Sequence, residues 1–270
     1  MKFHDDDLQR FDAVGAAPLP ADARNGRVPN DGASIWYADC GAGPAVILLH
    51  GGLGNAGNFG YQVAPLTEAG YRAILIDSRG HGRSTRDGKP YSYDLMATDV
   101  LAVMDVLSIE KAAVIGWSDG ACTGMILGHR HPERIMGVFF FACNMDPSGT
   151  LPFEMTPLIE RCFSRHKQDY AALSPTPEKF DEFVEAVGLM QRTQPNYSPA
   201  DLGEIRVPVT IAQSEREEFI RRDHAEYLAR EVPGVELVIL PGVTHFAPVQ
   251  RPDVFNAAVL AFLARLPTWT

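Results

Sequence analysis

The chain has 270 residues, of which 46% are hydrophobic and 21% are charged, and it carries a formal net charge of −10 at pH 7. This length and apolar content suffice for one large domain, or for a domain with an insertion. The acidic balance, without a cluster of Lys and Arg, argues against a nucleic-acid-binding surface, so we expect small-molecule partners.

The start of the chain and its apolar runs show neither a secretion signal nor a membrane span. MKFHDDDLQR is acidic where a signal peptide needs basic residues followed by an apolar stretch. The longest apolar runs, such as IMGVFFFAC at 135–143, are far shorter than the roughly 20 residues that cross a bilayer. We therefore expect a soluble, cytoplasmic protein that does not bind membranes.

The cysteines and histidines lack the spacing of metal ligands. The four cysteines are scattered without a C-x-x-C pair, which is typical of reduced thiols; they are Cys40, Cys122, Cys143 and Cys162. His129 and His131 stand close together, but they end a predicted helix just before Pro132, and the sequence contains no H-E-x-x-H. We expect no bound metal.

The first half of the chain predicts a hairpin followed by alternating strands and helices. Residues 1–25 carry no periodic pattern, so we expect an arm along the surface. NDG at 30–32 predicts a tight hairpin turn, because Asp-Gly readily adopts positive φ angles. The alternation that follows is typical of a mostly parallel sheet covered on both faces. The predicted strands are AVILLHG, RAILIDSRG, KAAVIGWS, RIMGVFFFACN, VPVTIAQS and VELVILPG.

Two of the intervening stretches have clear helical periodicity. YSYDLMATDVLAVMDVL covers residues 91–107, and RPDVFNAAVLAFLARL covers residues 251–266. The second stretch has an apolar face that we expect to pack on the sheet, formed by Phe255, Val259, Phe262 and Leu266.

The alternation stops between residues 144 and 206, where helix-like segments stand between two predicted strands. We therefore predict a core of residues 26–143 and 207–270, with a small helical cap of residues 144–206 inserted over the strand ends. We expect the large apolar residues of the cap to form its own core rather than a ligand wall; they include Phe153, Phe163, Phe183 and Met190.

HGGLGNAG at 50–57 contains a complete G-x-G-x-x-G after a predicted buried strand. Asp77 ends the next strand about twenty residues further on, so the main features of a dinucleotide-binding fingerprint are present. A polar His50 directly before the first glycine fits that fingerprint less well. The rest of the chain decides what this loop binds.

GWSDG at 116–120 follows a predicted strand and precedes a helical stretch, which is the context that G-x-S-x-G requires. Ser118 is expected on a sharp turn with strained backbone angles, where Gly116 and Gly120 let strand and helix approach closely. The amide of Asp119 then begins the helix and can stabilise a developing negative charge. The motif predicts Ser118 as a nucleophile.

A serine hydroxyl needs a base to react at neutral pH. GVTHF at 242–246 places His245 in the loop after the last predicted strand. SEREEF at 214–219 follows the preceding strand, so its acids are candidates to orient the imidazole. Together with Ser118, these segments predict nucleophilic catalysis.

The motifs HGGLG, DSRGHGRS, GWSDG, SEREE and GVTH occur in the order and spacing of the α/β-hydrolases, and the chain resembles this family from about Gly26 to its C-terminus. The resemblance implies the α/β-hydrolase fold, a Ser–acid–His triad and no cofactor. It also implies that the glycine-rich loop supplies an oxyanion amide, with Gly52 favoured over Leu53. Asp77 then belongs to a structural turn, in which Arg79 and His81 stabilise the backbone.

The resemblance leaves the triad acid open. The aligned position holds Glu217, where relatives more often have Asp. Since Glu reaches one methylene further, Glu218 and Glu215 are alternatives. Some relatives place the acid after the preceding strand, which here would select Asp146.

Asp119 departs from the family pattern, because this position is commonly an apolar Leu or Met. A carboxylate beside the reacting centre opposes an anionic intermediate. The elbow GWSDG is similar to that of the valacyclovir hydrolase (biphenyl hydrolase-like) group, in which the equivalent acid binds the α-amino group of the substrate. The alternative is a structural role, in which Asp119 hydrogen-bonds the cap or neighbouring loops.

The sequence thus predicts a hydrolase that cleaves a small or medium-sized ester, including an α-amino ester or a lactone, through an acyl-enzyme. Trp117, Leu53 and Phe246 are expected to shape its pocket. Other reactions open to the same triad are amide or carbon–carbon bond hydrolysis and cofactor-free perhydrolysis. The alternative of another class is a ligand-binding sensor with little turnover.

Overall fold

The computed structural model describes residues 6–267, which fold around an eight-stranded sheet. The strands are β1 Arg24–Asn30, β2 Ala33–Cys40, β3 Ala45–Leu49, β4 Arg72–Ile76, β5 Ala112–Trp117, β6 Ile135–Phe141, β7 Val209–Arg216 and β8 Glu236–Thr244. Their order across the sheet is β1-β2-β4-β3-β5-β6-β7-β8. The β1–β2 and β2–β4 pairs are antiparallel, and the other pairs are parallel. The predicted mostly parallel sheet is confirmed.

Helices cover both faces of the sheet and connect its parallel strands. They are α1 Asp6–Val14, α2 Gly60–Glu68, α3 Tyr93–Val106, α4 Asp119–Arg130, α5 Pro157–Leu173, α6 Phe180–Thr193, α7 Pro199–Gly203, α8 Arg222–Glu231, α9 Ala247–Gln250 and α10 Pro252–Leu263. Within residues 6–267, no helix has the length and apolarity needed to cross a membrane.

The central strands are buried on both faces, so their side chains form two apolar layers. Along β3, Ile47 and Leu49 enter one layer, and Val46 and Leu48 enter the other. This division follows from the alternation of side chains along a strand. The predicted apolar face of α10 packs in the second layer, where the ring of Phe255 lies 5.7 Å from that of Phe139.

The predicted hairpin joins β1 and β2. Asp31 and Gly32 have φ angles of 40° and 80°, and Asn30 pairs with Ala33. Two successive positive φ angles match the right-handed twist of paired strands, which explains the Asp-Gly at this turn.

Residues 6–14 differ from the expected arm, because they form the helix α1. Its apolar side chains Leu8 and Phe11 are 1% and 0% exposed, and the helix packs against α5 and α9. A helix of nine residues is marginal by itself and depends on such packing. Two apolar residues at one helical spacing were too short a pattern to predict it.

The helices α5, α6 and α7 stand between β6 and β7, in the segment predicted as the cap. Helix α5 begins after Thr156, whose hydroxyl accepts the amide hydrogen of Ile159 at 3.2 Å. This bond satisfies one of the free amides at the helix start, and Pro157 occupies a position that needs none. Proline and a capping threonine therefore fix where the first long cap helix begins.

The loop after β4 is held by buried polar contacts. The carboxylate of Asp77 accepts the amides of Ala56 and Arg83, each at 2.7 Å, so it is already occupied. Arg79 makes two hydrogen bonds, of 2.6 and 3.0 Å, with Asp99. His81 bonds the Arg79 carbonyl at 3.0 Å. These contacts agree with a structural turn rather than with a ribose-binding acid.

Candidate active site

Ser118 lies on a strained turn between β5 and α4, with φ 53° and ψ −121°. Such a positive φ is unfavourable for a residue with a side chain, and its neighbours must hold it in place. The Ser118 amide donates to the Phe141 carbonyl at 2.9 Å, and the Ala121 amide donates to the Ser118 carbonyl at 2.7 Å. The backbone of the elbow is therefore anchored on both sides.

Both glycines of the GWSDG motif are required for steric reasons. A Cβ at Gly116 would lie 2.4 Å from the Ala121 Cα, and a Cβ at Gly120 would lie 2.0 Å from the Leu49 carbonyl oxygen. These distances are far inside van der Waals contact, and the obstacle is backbone in each case. Strand β3, the elbow and α4 can approach this closely only because no side chain stands between them.

His245 directly follows β8, and Glu217 directly follows β7. The Nδ1 of His245 lies 2.5 Å from Oε1 of Glu217. The carboxylate is itself held, because Oε2 accepts the Ser214 hydroxyl at 2.5 Å and Oε1 accepts the Phe219 amide at 3.2 Å. A proton on Nδ1 leaves Nε2 of the imidazole as a proton acceptor.

The other candidate acids have other partners. Glu218 accepts the backbone amide of His245 at 2.8 Å, and burial raises the pKa of its carboxyl to about 7. Glu215 accepts the Gly242 amide at 2.7 Å. Asp146 accepts the Ser148 amide at 3.0 Å. The structure therefore brings Glu217, rather than these three acids, to the imidazole.

The pKa of His245 reflects two opposed effects. Burial by itself lowers the pKa of the imidazole, but the charge and hydrogen bond of Glu217, together with the charges of Glu218 and Asp119, raise the pKa above its ordinary value. Glu217 therefore favours the charged imidazolium that forms when His245 takes up a proton.

The loop after β3 is oriented by His50. The Nε2 of His50 accepts the Ser78 amide at 3.0 Å, so the proton of the neutral ring is on Nδ1. This Nδ1 donates to the Gly51 carbonyl at 2.7 Å, and the Gly54 amide donates to the same carbonyl at 3.1 Å. In a trans peptide the amide of Gly52 points the opposite way from that carbonyl.

Gly52 lines the same cavity as Ser118. A Cβ at Gly52 would lie 2.4 Å from Nε2 of Gln191 and 2.7 Å from Oδ2 of Asp119, so a side chain would collide with both groups. This position beside the elbow therefore admits only glycine, so the cavity meets bare backbone at Gly52. Leu53, the less favoured donor, has a φ of 62° and also lines the cavity.

Asp119 is 6% exposed and bonds two groups that the sequence analysis missed. Its Oδ1 accepts the Tyr93 hydroxyl at 2.9 Å, and its Oδ2 accepts the Gln191 side-chain amide at 3.0 Å. Burial raises the pKa of the Asp119 carboxyl to about 6, although both hydrogen bonds act to lower it. Gln191 comes from the cap helix α6, so Asp119 does hydrogen-bond the cap, as the structural alternative expected, although the sequence did not identify Gln191 as its partner.

The cavity above Ser118 has a volume of about 800 Å³. Ser118, His245 and Asp119 line it, together with the predicted pocket residues Trp117 and Phe246. Phe153 and Phe163, which we expected in the cap core, also line it, whereas Phe183 and Met190 are buried in the core. Within residues 6–267, no group of His, Cys, Asp or Glu is arranged to hold a metal ion.

Gly120→Ala is expected to destabilise the fold by about 3 kcal/mol or more, because the new methyl group meets backbone that cannot move aside. Gly203→Ala is the matched control, since its Cβ would meet no heavy atom within 4 Å. Chemical unfolding of both variants measures the difference. Similar free energies of unfolding would contradict the steric account of the elbow.

Glu217→Gln is expected to slow labelling of Ser118 by an alkyl fluorophosphonate on the order of 10²- to 10⁴-fold, because the imidazole loses its orienting charge. The acidic limb of the pH–rate profile should also move to lower pH, since Glu217 raises the pKa of His245. Glu218→Gln is the control for the labelling rate, because Glu218 bonds the backbone amide of His245 rather than its imidazole. Its charge also raises the pKa of His245, so its pH profile should move in the same direction. An equal loss of labelling rate in both variants would contradict the role of Glu217 as the acid that orients His245.

Comparisons with known proteins agree with this geometry. Residues 44–179 match the family model described as alpha/beta hydrolase fold. The chain is 28% identical to a 2-hydroxy-6-oxononadienedioate/2-hydroxy-6-oxononatrienedioate hydrolase of Comamonas testosteroni, over 85% of this chain and 91% of that protein. It is 24% identical to the serine hydrolase BPHL of Homo sapiens, over 92% of this chain and 89% of that protein.

Solved structures of other proteins share this fold. A structure described as Est816, an N-acyl homoserine lactone degrading enzyme, superposes with a TM-score of 0.68 at 26% identity, over 88% of this chain and 100% of that chain. A meta-cleavage product hydrolase from Pseudomonas fluorescens IP01 superposes with a TM-score of 0.73 at 20% identity, over 88% and 97% of the two chains. The chain belongs to the α/β-hydrolase fold family and is a hydrolase.

Proposed function

We propose that this hydrolase is a serine esterase that cleaves esters of small or medium-sized acids, lactones included, through an acyl-enzyme on Ser118. The observation that carries the proposal is the pairing of His245 with Glu217 at 2.5 Å, beside a strained serine in the same cavity. A nucleophile, a base and an orienting carboxylate are the groups that acyl transfer requires.

In the proposed reaction, Nε2 of His245 takes the hydroxyl proton as Ser118 attacks the ester carbonyl. The amides of Gly52 and Asp119 stabilise the oxyanion, and each such donor is worth about 3 kcal/mol in comparable sites. The imidazolium returns its proton to the alcohol that leaves. Water, deprotonated by His245, then attacks the acyl-enzyme and releases the acid.

We further propose that the preferred esters carry a cationic amino group near the scissile carbonyl. Asp119 supports this, because it adjoins Ser118 and lines the cavity. With a pKa raised to about 6, its carboxyl is still ionised at neutral pH. Its hydrogen bonds with Tyr93 and Gln191 hold it in place without adding a compensating charge. An amine on the substrate would supply that charge.

A second candidate is hydrolysis of a carbon–carbon bond, which the name of the Comamonas testosteroni relative favours. The named substrates are dioates, and a dioate carries two carboxylates. Asp119 and Glu185 line the cavity with Arg192, so the carboxylates there outnumber this cation and oppose an anionic ligand. We therefore rank ester hydrolysis first.

Ser118→Ala tests the reaction class. We expect wild type to hydrolyse p-nitrophenyl esters with acyl chains of two to twelve carbons, and the variant to lose this activity by a factor on the order of 10⁴ or more. Absorbance of released p-nitrophenolate gives both rates. Equal rates would exclude the proposed nucleophile. Faster turnover of 2-hydroxy-6-oxonona-2,4-dienedioate than of every ester would favour the second candidate.

Asp119→Asn tests the amine preference, with the p-nitrophenyl esters of phenylalanine and 3-phenylpropanoic acid as a matched pair. We expect kcat/KM to fall about tenfold or more for the phenylalanine ester and to stay nearly unchanged for its uncharged analogue. In wild type the preference should weaken below pH 6, because the carboxyl takes up a proton there. An equal loss on both esters would assign Asp119 a structural role.

A further inference from the structure

The cap places a second imidazole in the catalytic cavity. His166, on α5, is 3% exposed and lines the cavity together with Ser118 and His245. Its ring makes no hydrogen bond with any residue in the described part of the chain, and its Nδ1 is buried without a partner. Its ring packs against Phe11, with the ring centres 5.9 Å apart and the planes at 68°.

This lack of partners separates His166 from the other buried histidines of residues 6–267. Each of those has a ring hydrogen bond: His50 with Ser78, His81 with Arg79, His224 with Met145, and His245 with Glu217. A buried polar group without a partner costs free energy of folding. A phenyl ring would fill the same place beside Phe11 without that cost, so stability does not explain the imidazole.

His166 is a neutral group at physiological pH. Burial is the main cause that lowers the pKa of its imidazole, and together with His50, Arg165 and His245 it brings the pKa to about 3. A neutral imidazole offers one N–H donor and one lone pair. It therefore suits a hydroxyl or carbonyl oxygen better than a carboxylate or a phosphate.

His166 is also a poor second base. His245 has Glu217 to orient it and to stabilise its charged form, whereas His166 has no carboxylate bonded to its ring. Asp119 and His166 reach the cavity from different elements, because Asp119 is held from α3 and α6 and His166 stands on α5. Asp119 and His166 can therefore contact a substrate at separate points of the cavity, apart from the scissile carbonyl.

We propose that His166 is a substrate-binding residue that hydrogen-bonds an uncharged oxygen of the substrate. The substrates are then esters or lactones that carry a hydroxyl or oxo group in addition to the scissile carbonyl. This inference rests on the proposed ester hydrolysis and narrows its substrate class.

Two matched pairs of substrates test it. The first pair is p-nitrophenyl hexanoate and its 3-hydroxy derivative, and the second is 4-nitrobenzyl butyrate and the same ester with a hydroxymethyl group on the benzyl carbon. The variants are His166→Phe, which removes the polar atoms, and His166→Gln, which keeps an amide that can bond an oxygen. Tyr170→Phe is the control, because it removes a buried polar atom from the same helix outside the cavity lining.

We expect wild type to prefer the hydroxylated member of at least one pair about fivefold or more in kcat/KM, mainly through KM. His166→Phe should abolish this preference, because kcat/KM should fall more for the hydroxylated member of each pair than for the plain ester, at an unchanged thermal stability. His166→Gln should restore part of the preference, and Tyr170→Phe should leave it unchanged.

The result that overturns the inference is an active wild type without a hydroxyl preference in either pair, or a preference that survives in His166→Phe. An equal loss on both members of each pair would also overturn it, because that pattern indicates packing. If wild type hydrolyses none of the four esters, the result contradicts the proposed ester hydrolysis itself, which distinguishes that failure from a failure of the role proposed for His166.

Discussion

The site depends on one backbone constraint, the left-handed turn at Ser118. With φ at 53°, the serine stands clear of strand β5 and directly precedes the N-terminus of α4. The turn is possible because bare glycines let α4 pass within van der Waals contact of the Leu49 carbonyl. The same close approach sets the amide of Asp119 beside the loop of Gly52. The proposed nucleophile and the two proposed oxyanion amides are therefore positioned by the same close packing of glycines.

The charged groups at the cavity are held by elements from different parts of the chain. Glu217 and His245 face each other because β7 and β8 are adjacent and end at the same edge of the sheet. Asp119 adds a second carboxylate, held by Tyr93 from α3 and by Gln191 from the cap. Both of these partners are uncharged, so the buried carboxylate has no compensating charge among them. This is the main electrostatic reason to expect a cationic substrate.

The main features of the fold could be predicted from local sequence, whereas the choice of the triad acid and the contacts of the cap could not. The elbow, the Asp-Gly hairpin and the mostly parallel sheet follow from glycine sterics and from short apolar runs, which act over a few residues. The choice of Glu217 among three acids within four residues depends on the exact shape of the loop after β7. The contacts of Gln191 and the placement of His166 depend on how the cap packs. Helix α1 also depends on packing against the cap helix α5. No local sequence pattern predicts these features.

The central claim is that Ser118 becomes covalently acylated. A p-nitrophenyl dialkyl carbamate forms a carbamoyl-serine that hydrolyses slowly, so mass spectrometry of the quenched protein and its peptides can locate the adduct. We expect about one equivalent of released p-nitrophenolate per chain and one carbamoyl group on the peptide that contains Ser118. Absence of an adduct, or an adduct on another residue such as Cys143, would contradict it.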